Sequence, residues 1–209
     1  MLVDDHAVVR TGFRLLLQAF ADIDVVAEAD SGEAACQMYE NVAPDVVVMD
    51  IAMAGMGGLE AIKRLMAKDA KARILALSAH EDTSHPKRAL QAGALGYLSK
   101  RSAPEALIDA IRAIARGQRY LDAQIAQRMA VQDIHGEKGP MDQLSPREFE
   151  VFLQLARGQS VAQISETLSL SSSTIGTHLY NVKQKLGLVN QAEMTLLAVR
   201  HGLIDVAAR

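Results

Sequence analysis

The sequence predicts a two-domain chain. A doubly wound, five-stranded parallel α/β domain occupies residues 1–117, and a small all-α domain of four helices occupies 144–209. A partly helical linker, 118–143, joins them. Three observations carry this reading. Short β-rich runs alternate with amphipathic stretches through the first 117 residues. Those runs are apolar without polar alternation, the pattern of strands covered on both faces. After Leu144 the strand pattern stops and helix start and stop signals recur.

Taken in order, Met1-Leu2-Val3 is the first strand, ending on Asp4-Asp5. Further strand runs fall at 25–28, 46–49, 74–77 and 96–98. Amphipathic stretches at 7–19, 32–41, 59–67, 85–91 and 104–116 separate them. Strand, helix, strand in succession implies right-handed crossovers and a parallel sheet. Gly55-Met56-Gly57-Gly58 reads as a turn, because it lacks the strand–GxGxxG–helix setting of a phosphate loop. Ser102-Ala103-Pro104-Glu105 is expected to open the fifth helix as a capping box with proline in the first turn.

Beyond 117, residues 121–131 read as a helix, and His135-Gly136-Glu137-Lys138-Gly139-Pro140 as a linker. Ser145-Pro146-Arg147-Glu148 is a capping box, and Gly158 is a stop. Ser160 with Gln163 starts the next helix. The segment Ser171 to Thr174 starts a third, ended by Gly187. Asn190 with Glu193 starts a fourth, ending near Gly202.

Composition narrows the function. Of 209 residues, 49% are hydrophobic and 22% charged, ordinary values for a globular chain able to bury a core. One cysteine, Cys36, excludes an intramolecular disulfide and suits a reducing, cytoplasmic setting. The short apolar runs predict no membrane span, and the first residues predict no signal peptide. Four Phe, four Tyr and no Trp argue against a stacking platform for single strands. The net charge of −3 divides unevenly. Residues 1–117 carry 13 Lys and Arg against 16 Asp and Glu, 118–143 carry 3 against 4, and 144–209 carry 6 against 5. The acidity belongs to the first domain, so the total does not exclude DNA as a partner of the second.

Asp4 and Asp5 follow the first strand, Asp50 the third, Ser78 the fourth and Lys100 the fifth. In an open parallel sheet the carboxyl ends of the strands line the ligand crevice. Three carboxylates converging there repel one another unless a cation intervenes, and Mg²⁺ suits an all-oxygen site. A hydroxyl and a fixed cation at the same edge suit a phosphoryl group. A carboxylate can itself accept that group as an aspartyl-phosphate. His6 is not needed as a ligand in such a site.

Leu2-Val3-Asp4-Asp5-His6, Val48-Met49-Asp50, Leu77-Ser78 and the run Ala92 to Lys100 resemble the receiver domain of two-component response regulators, a flavodoxin/CheY-like fold. The resemblance implies that Asp50 is phosphorylated by a sensor histidine kinase. It implies that Asp5, Asp50 and the Ala52 carbonyl bind Mg²⁺, with Asp4 acting through water. Ser78 would hold the phosphoryl oxygens and move on activation, Lys100 would pair with the phosphate, and Tyr97 would be the aromatic switch. Two departures stand out. Ala54 occupies a position where such domains usually carry proline. The first strand lacks about four residues found in relatives, so either the true start lies upstream or the domain works with a clipped strand.

Residues 144–151 and 171–188 resemble the LuxR-type (GerE-type) helix-turn-helix, and the whole chain resembles a NarL/FixJ-type response regulator. Tyr97 to Lys100, Gly117 to Tyr120 and Val199 to Leu203 are similar to the GacA/UvrY-like members. Helical spacing independently separates a buried stripe, Ile175, Leu179, Val182 and Leu186, from a polar face, Thr174, Thr177, His178, Asn181 and Lys185. Tyr180 is placed to reach the DNA groove, and Asn181, Lys183 and Lys185 suit phosphate contacts. The resemblance implies base reading by Gly176, Thr177 and Tyr180. Gly176 is a departure that removes a side-chain contact.

The expected function is a DNA-binding transcription regulator and not an enzyme. Phosphorylation would control homodimerisation on double-stranded DNA, because few cations per domain make single-copy binding modest. A hydrolase with an Asp nucleophile usually needs a second acid just after it, and Ala52 stands there instead. A regulator that works without phosphorylation would not need the full set of Asp4, Asp5, Asp50, Ser78 and Lys100. A small-molecule sensor sharing only the DNA-binding half would not carry this acid cluster.

Overall fold

The computed structural model describes residues 1–79, 84–134, 140–168, 170–201 and 203–204. The expected linker residues 135–139, and Gly202, lie outside them. The chain divides into two compact units, one built from Met1–Ala79 with His85–Ala126 and the other including Gln127–Arg209.

The first unit runs β1 (Leu2–Val3), α1 (Ala7–Gln18), β2 (Glu28–Ala29), α2 (Gly32–Val42), β3 (Val47–Asp50), α3 (Gly58–Lys68), β4 (Ile74–Ser78), α4 (Ser84–Ala92), β5 (Gly96–Ser99), α5 (Pro104–Ala115) and β6 (Tyr120–Leu121). All pairings are parallel, in the order β2-β1-β3-β4-β5-β6. The first five strands follow the doubly wound order 2-1-3-4-5. The order reverses at β1, so the strand ends around β1 and β3 open a crevice there.

Alternation along the strands sorts the core. Leu2, Val46, Val48, Leu75, Leu77 and Leu98 pack with Leu17 of α1 and with Leu107, Ile108, Ile111 and Ile114 of α5. The intervening residues Val47, Met49, Ile74, Ala76 and Tyr97 are fully buried on the opposite face. Right-handed crossovers put α2 and α3 on that side.

Two expectations need correction. A sixth strand lies within the segment expected to be linker. Gly96 pairs with Tyr120 and Tyr97 with Leu121, so the sheet edge is extended by two residues. A two-residue edge strand carries almost no periodicity, and the sequence signal for it is correspondingly absent. The Ser102 capping box does not form. The N-cap of α5 is Ala103, with no side-chain cap bond. Ser102 Oγ instead donates to Asp122 Oδ2 at 2.8 Å, while Asp122 Oδ1 accepts the N–H groups of Gln124 and Ile125 at the start of α6 (Ala123–Ile134). Proline at the first turn of α5 already removes one orphan donor, and Asp122 makes better use of the hydroxyl.

In the second unit a 3-10 helix (Pro140–Gln143) precedes α7 (Pro146–Ala156), α8 (Val161–Leu168), α9 (Ser172–Leu186) and α10 (Gln191–Arg200). The start signals read from sequence are all present as bonds. Ser145 Oγ accepts from Glu148 N and Glu148 Oε2 from Ser145 N. Ser160 and Gln163 cap reciprocally, Ser171 caps through Thr174 N, and Asn190 through Glu193 N. Gly187 ends α9 in the left-handed region. The core gathers Phe149, Phe152, Ile164, Ile175, Val182, Met194 and Ala198.

Gly58 opens α3 directly against the strand that carries Asp50. A Cβ at this position would lie 2.0 Å from the Asp50 carbonyl oxygen and 2.5 Å from Ile51 Cα. Gly58→Ala is therefore expected to push α3 from β3 and to destabilise the first unit by about 1–3 kcal/mol. Urea unfolding checks this, and an unchanged midpoint would contradict the close approach.

Candidate functional site

Parallel register aligns the strand ends at one edge. Asp50 stands opposite Leu77, Ser78 opposite Ser99, and Lys100 N donates to Ser78 O at 2.7 Å. Asp4 extends β1 through a bond from its N–H to Ala29 O. These bonds bring together side chains separated by up to 96 residues.

The Lys100 ammonium lies between two buried carboxylates. Nζ is 2.6 Å from Asp4 Oδ2 and 2.7 Å from Asp50 Oδ2. Asp4 is 3% exposed and Asp50 1%. Burial pushes the Asp50 carboxyl above the usual range, assisted by the nearby Asp4 charge, while Lys100 and the Ala52 N–H act against it. For Lys100, burial acts to lower the value, but the Asp50 charge and the hydrogen bonds to both aspartates outweigh it and hold the ammonium above its ordinary range.

Five of the six carboxylate oxygens of the trio accept a hydrogen bond. Asp50 Oδ1 accepts from Ala52 N at 3.0 Å, and Asp4 Oδ1 from His6 N at 2.9 Å. Asp5 Oδ1 lies 2.8 Å from His6 Nδ1, and Asp5 Oδ2 accepts from Ala54 N at 3.2 Å. One ligand atom each from Asp4, Asp5, His6 and Asp50 fall within 4.8 Å of one another. An oxygen-rich, negatively charged cluster of that size fits a hard divalent cation. His6, set aside in the sequence, thus sits inside the cluster. The loop after β3 is also held by Glu33, whose Oε1 accepts from Met56 N at 2.7 Å. A partner 23 residues away leaves no local signal.

Ser78 and Tyr97 are fully buried in β4 and β5, with Tyr97 paired to Ala76. The acid cluster is separate from a cavity of about 330 Å³ of mixed polar and apolar lining, which includes Met1, Val25, Asp45, Val46 and Arg73. None of the acid cluster lines that cavity.

On α9, Ile175 and Val182 are buried, with Leu179 and Leu186 partly buried beside them. Gly176, Thr177 and Tyr180 are exposed, Tyr180 at 63%, and a Cβ at Gly176 would meet nothing within 4 Å. Thr174 Oγ1 is 2.8 Å from Ser171 Oγ, and Thr177 Oγ1 donates to Ser173 O. His178 and Asn181 are half-buried. The His178 Nδ1 is buried with no hydrogen-bond partner among the described residues. Both lysines are bonded within the unit. Lys183 Nζ donates to Val189 O at 2.8 Å, and Lys185 Nζ to Glu148 Oε2 at 2.6 Å. The pairing of Lys185 with the capping-box glutamate was missed in the sequence, where the two lie 37 residues apart.

A parallel sheet with this acid cluster, followed by a four-helix unit, defines a response regulator. Residues 1–112 match the response regulator receiver domain, and residues 142–198 match the bacterial regulatory proteins of the luxR family. The chain belongs to the two-component response regulators with a LuxR-type DNA-binding domain, a family of transcription regulators rather than enzymes. It is 43% identical over 207 residues to the response regulator UvrY of Escherichia coli, covering 98% of this chain and 95% of the relative. It is 39% identical over 210 residues to GacA of Pseudomonas aeruginosa, covering 100% and 98%. Among solved structures it is similar to ChrA, a response regulator of a heme-sensing two-component system, at 36% identity and TM-score 0.54 over 98% of this chain and 97% of that one. It is also similar to RcsB of Salmonella enterica serovar Typhimurium bound to promoter P1flhDC with phosphomimetic BeF3⁻, at 26% identity and TM-score 0.73 over 94% of each chain.

Glu148 provides a pH test of the second unit. Burial acts to raise its carboxyl, but the Lys185 ammonium and the Ser145 N–H and hydroxyl together bring it from 4.5 to about 2. A carboxylate with a depressed folded-state value stabilises fully above its unfolded value and loses that contribution as pH falls through the folded one. The stability difference between the native chain and Glu148→Gln is expected to shrink as pH falls from 4.5 towards 2. Hydrogen exchange of the α7 and α9 amides at each pH measures it. A difference that stays constant across that range would contradict the assignment.

Proposed function

We propose that Asp50 is the phosphoacceptor of this regulator, serving a sensor histidine kinase, and that phosphorylation controls promoter occupancy by the second unit. One observation carries this reading: the Lys100 ammonium joins Asp4 and Asp50, carboxylates from separate strands, with Asp5 in the same cluster. In the proposed step an Asp50 oxygen attacks the phosphorus of a phosphohistidine. The P–N bond breaks and the imidazole leaves with its electron pair. Positioning and charge stabilisation do most of the work in such transfers.

A Mg²⁺ ion would be held by Asp5, Asp50 and the Ala52 carbonyl, with Asp4 through water. When bound, it would neutralise charge on the transferring oxygens. Lys100 then turns from its carboxylate partners to a phosphoryl oxygen. Ser78 is the hydroxyl that follows the phosphate, and Tyr97 the buried ring that couples to its movement. Phosphorylation replaces the single carboxylate charge at a buried aspartate with an acyl phosphate carrying about −1.5 to −2, and this added charge with its three acceptor oxygens can bias a two-state surface.

The proposed division is a receiver over 1–117 with β6 on its sheet edge, a partly helical connector over 118–143 and a DNA-binding domain over 144–209. On α9, Gly176, Thr177 and Tyr180 form the exposed base-reading face, with Thr174 and His178 beside it. Asn181, Lys183 and Lys185 flank it as phosphate-side residues. Each lysine would have to share its present partner to reach DNA. A homodimer on a two-fold operator would supply the contacts one domain lacks. The proposed setting is cytoplasmic; among the described residues no helix is long and apolar enough to cross a membrane.

Labelling from a small phosphodonor in the presence of Mg²⁺ tests the acceptor. Asp50→Asn is expected to abolish it, and undiminished labelling of that variant would overturn the proposal.

A further inference from the structure

The loop between β3 and α3 gives the acid cluster two backbone donors, Ala52 N to Asp50 and Ala54 N to Asp5. Ala54 N lies 3.2 Å from Asp5 Oδ2. The other Asp5 oxygen lies 2.8 Å from His6 Nδ1. Asp4 and Asp50 have one oxygen each on Lys100 and one each on a backbone N–H. A cation that ligates Asp5 through Oδ2 must share that oxygen with the Ala54 N–H or displace it. Residue 54 can occupy this role only because it has an N–H, which proline would lack.

We propose that the Ala54 N–H competes with the divalent cation for Asp5, making Ala54 a positioning residue that tunes cation affinity and links cation binding to the β3–α3 loop. The proposal rests on the cation reading of the cluster given above. The same loop carries Ala52, whose N–H holds Asp50 Oδ1, so loosening the Ala54 contact frees the segment that borders the phosphoacceptor. At its other side the loop is held by the bond from Met56 N to Glu33. Release at Ala54 therefore moves a short segment without detaching the whole loop.

Ala54→Pro removes the donor, and Ala54→Ser keeps it with a similar local shape. Ala43 is the one non-glycine residue at positive φ among the described residues, so proline at 54 is not opposed by a left-handed backbone. Mg²⁺ titration of the full chain by calorimetry is expected to show about three- to tenfold tighter binding for Ala54→Pro, as one hydrogen bond no longer has to be exchanged. Ala54→Ser is expected to stay within about twofold of the native chain, its hydrogen bond being kept. Equal or weaker binding by Ala54→Pro, or an equal shift in Ala54→Ser, overturns the proposal while leaving the cation site standing. Absence of Mg²⁺ binding by the native chain overturns both. A second readout needs no variant: hydrogen exchange at the Ala54 amide should accelerate on Mg²⁺ saturation, and unchanged exchange contradicts the competition.

Discussion

Asp4 and Asp50 are buried side by side, and the Lys100 ammonium makes that arrangement tolerable. Two like charges withdrawn from water repel strongly, and each also loses its hydration. Removing one member of such a buried set typically costs about 3–5 kcal/mol, because the remaining charges stay behind unpaired. Much of the first unit serves this juxtaposition. The β4–β5 register fixes where Lys100 leaves the sheet, β1 must lie between β2 and β3 to present Asp4, and Gly58 lets α3 begin hard against Asp50. A cluster balanced internally is also one that a new charge can unbalance. That is the physical property a phosphorylation switch requires.

The second unit meets a different constraint. Glu148 serves two partners through one oxygen, the Ser145 N–H at the head of α7 and the Lys185 ammonium near the end of α9. A helix cap and the orientation of α9 are thereby coupled. The consequence for DNA is a spare electrostatic supply. From Ser172 to Asn181 the helix carries no Lys, Arg, Asp or Glu, and the two lysines that follow are bonded internally. Phosphate neutralisation dominates DNA affinity, so one such domain is expected to bind modestly. This favours regulation through pairing of two copies.

The parts of the fold legible in sequence are those with local signals. The buried runs of β3 and β4, the caps at Ser145, Ser160, Ser171 and Asn190, and the stop at Gly187 all express rules that span a few residues. Ser102 shows where such rules yield. Its spacing to Glu105 fits a capping box, yet Asp122, 20 residues on, takes the hydroxyl. Tyr120–Leu121 became a strand because the edge of β5 was open, which no local pattern records. The acids, Ser78 and Lys100 were legible because each falls at a strand end. The Ala54, Glu33 and Glu148 contacts were not, since they depend on chain segments meeting in space.

The central claim is that charge added at Asp50 is converted into DNA occupancy by paired chains. The most direct measurement is binding of the full chain to promoter fragments selected from a random pool, followed together with solution mass, with and without a small phosphodonor and Mg²⁺. The account predicts a shift to dimer and tighter binding with the donor, both lost in the Asp50→Asn chain. Identical mass and affinity with and without the donor would contradict it.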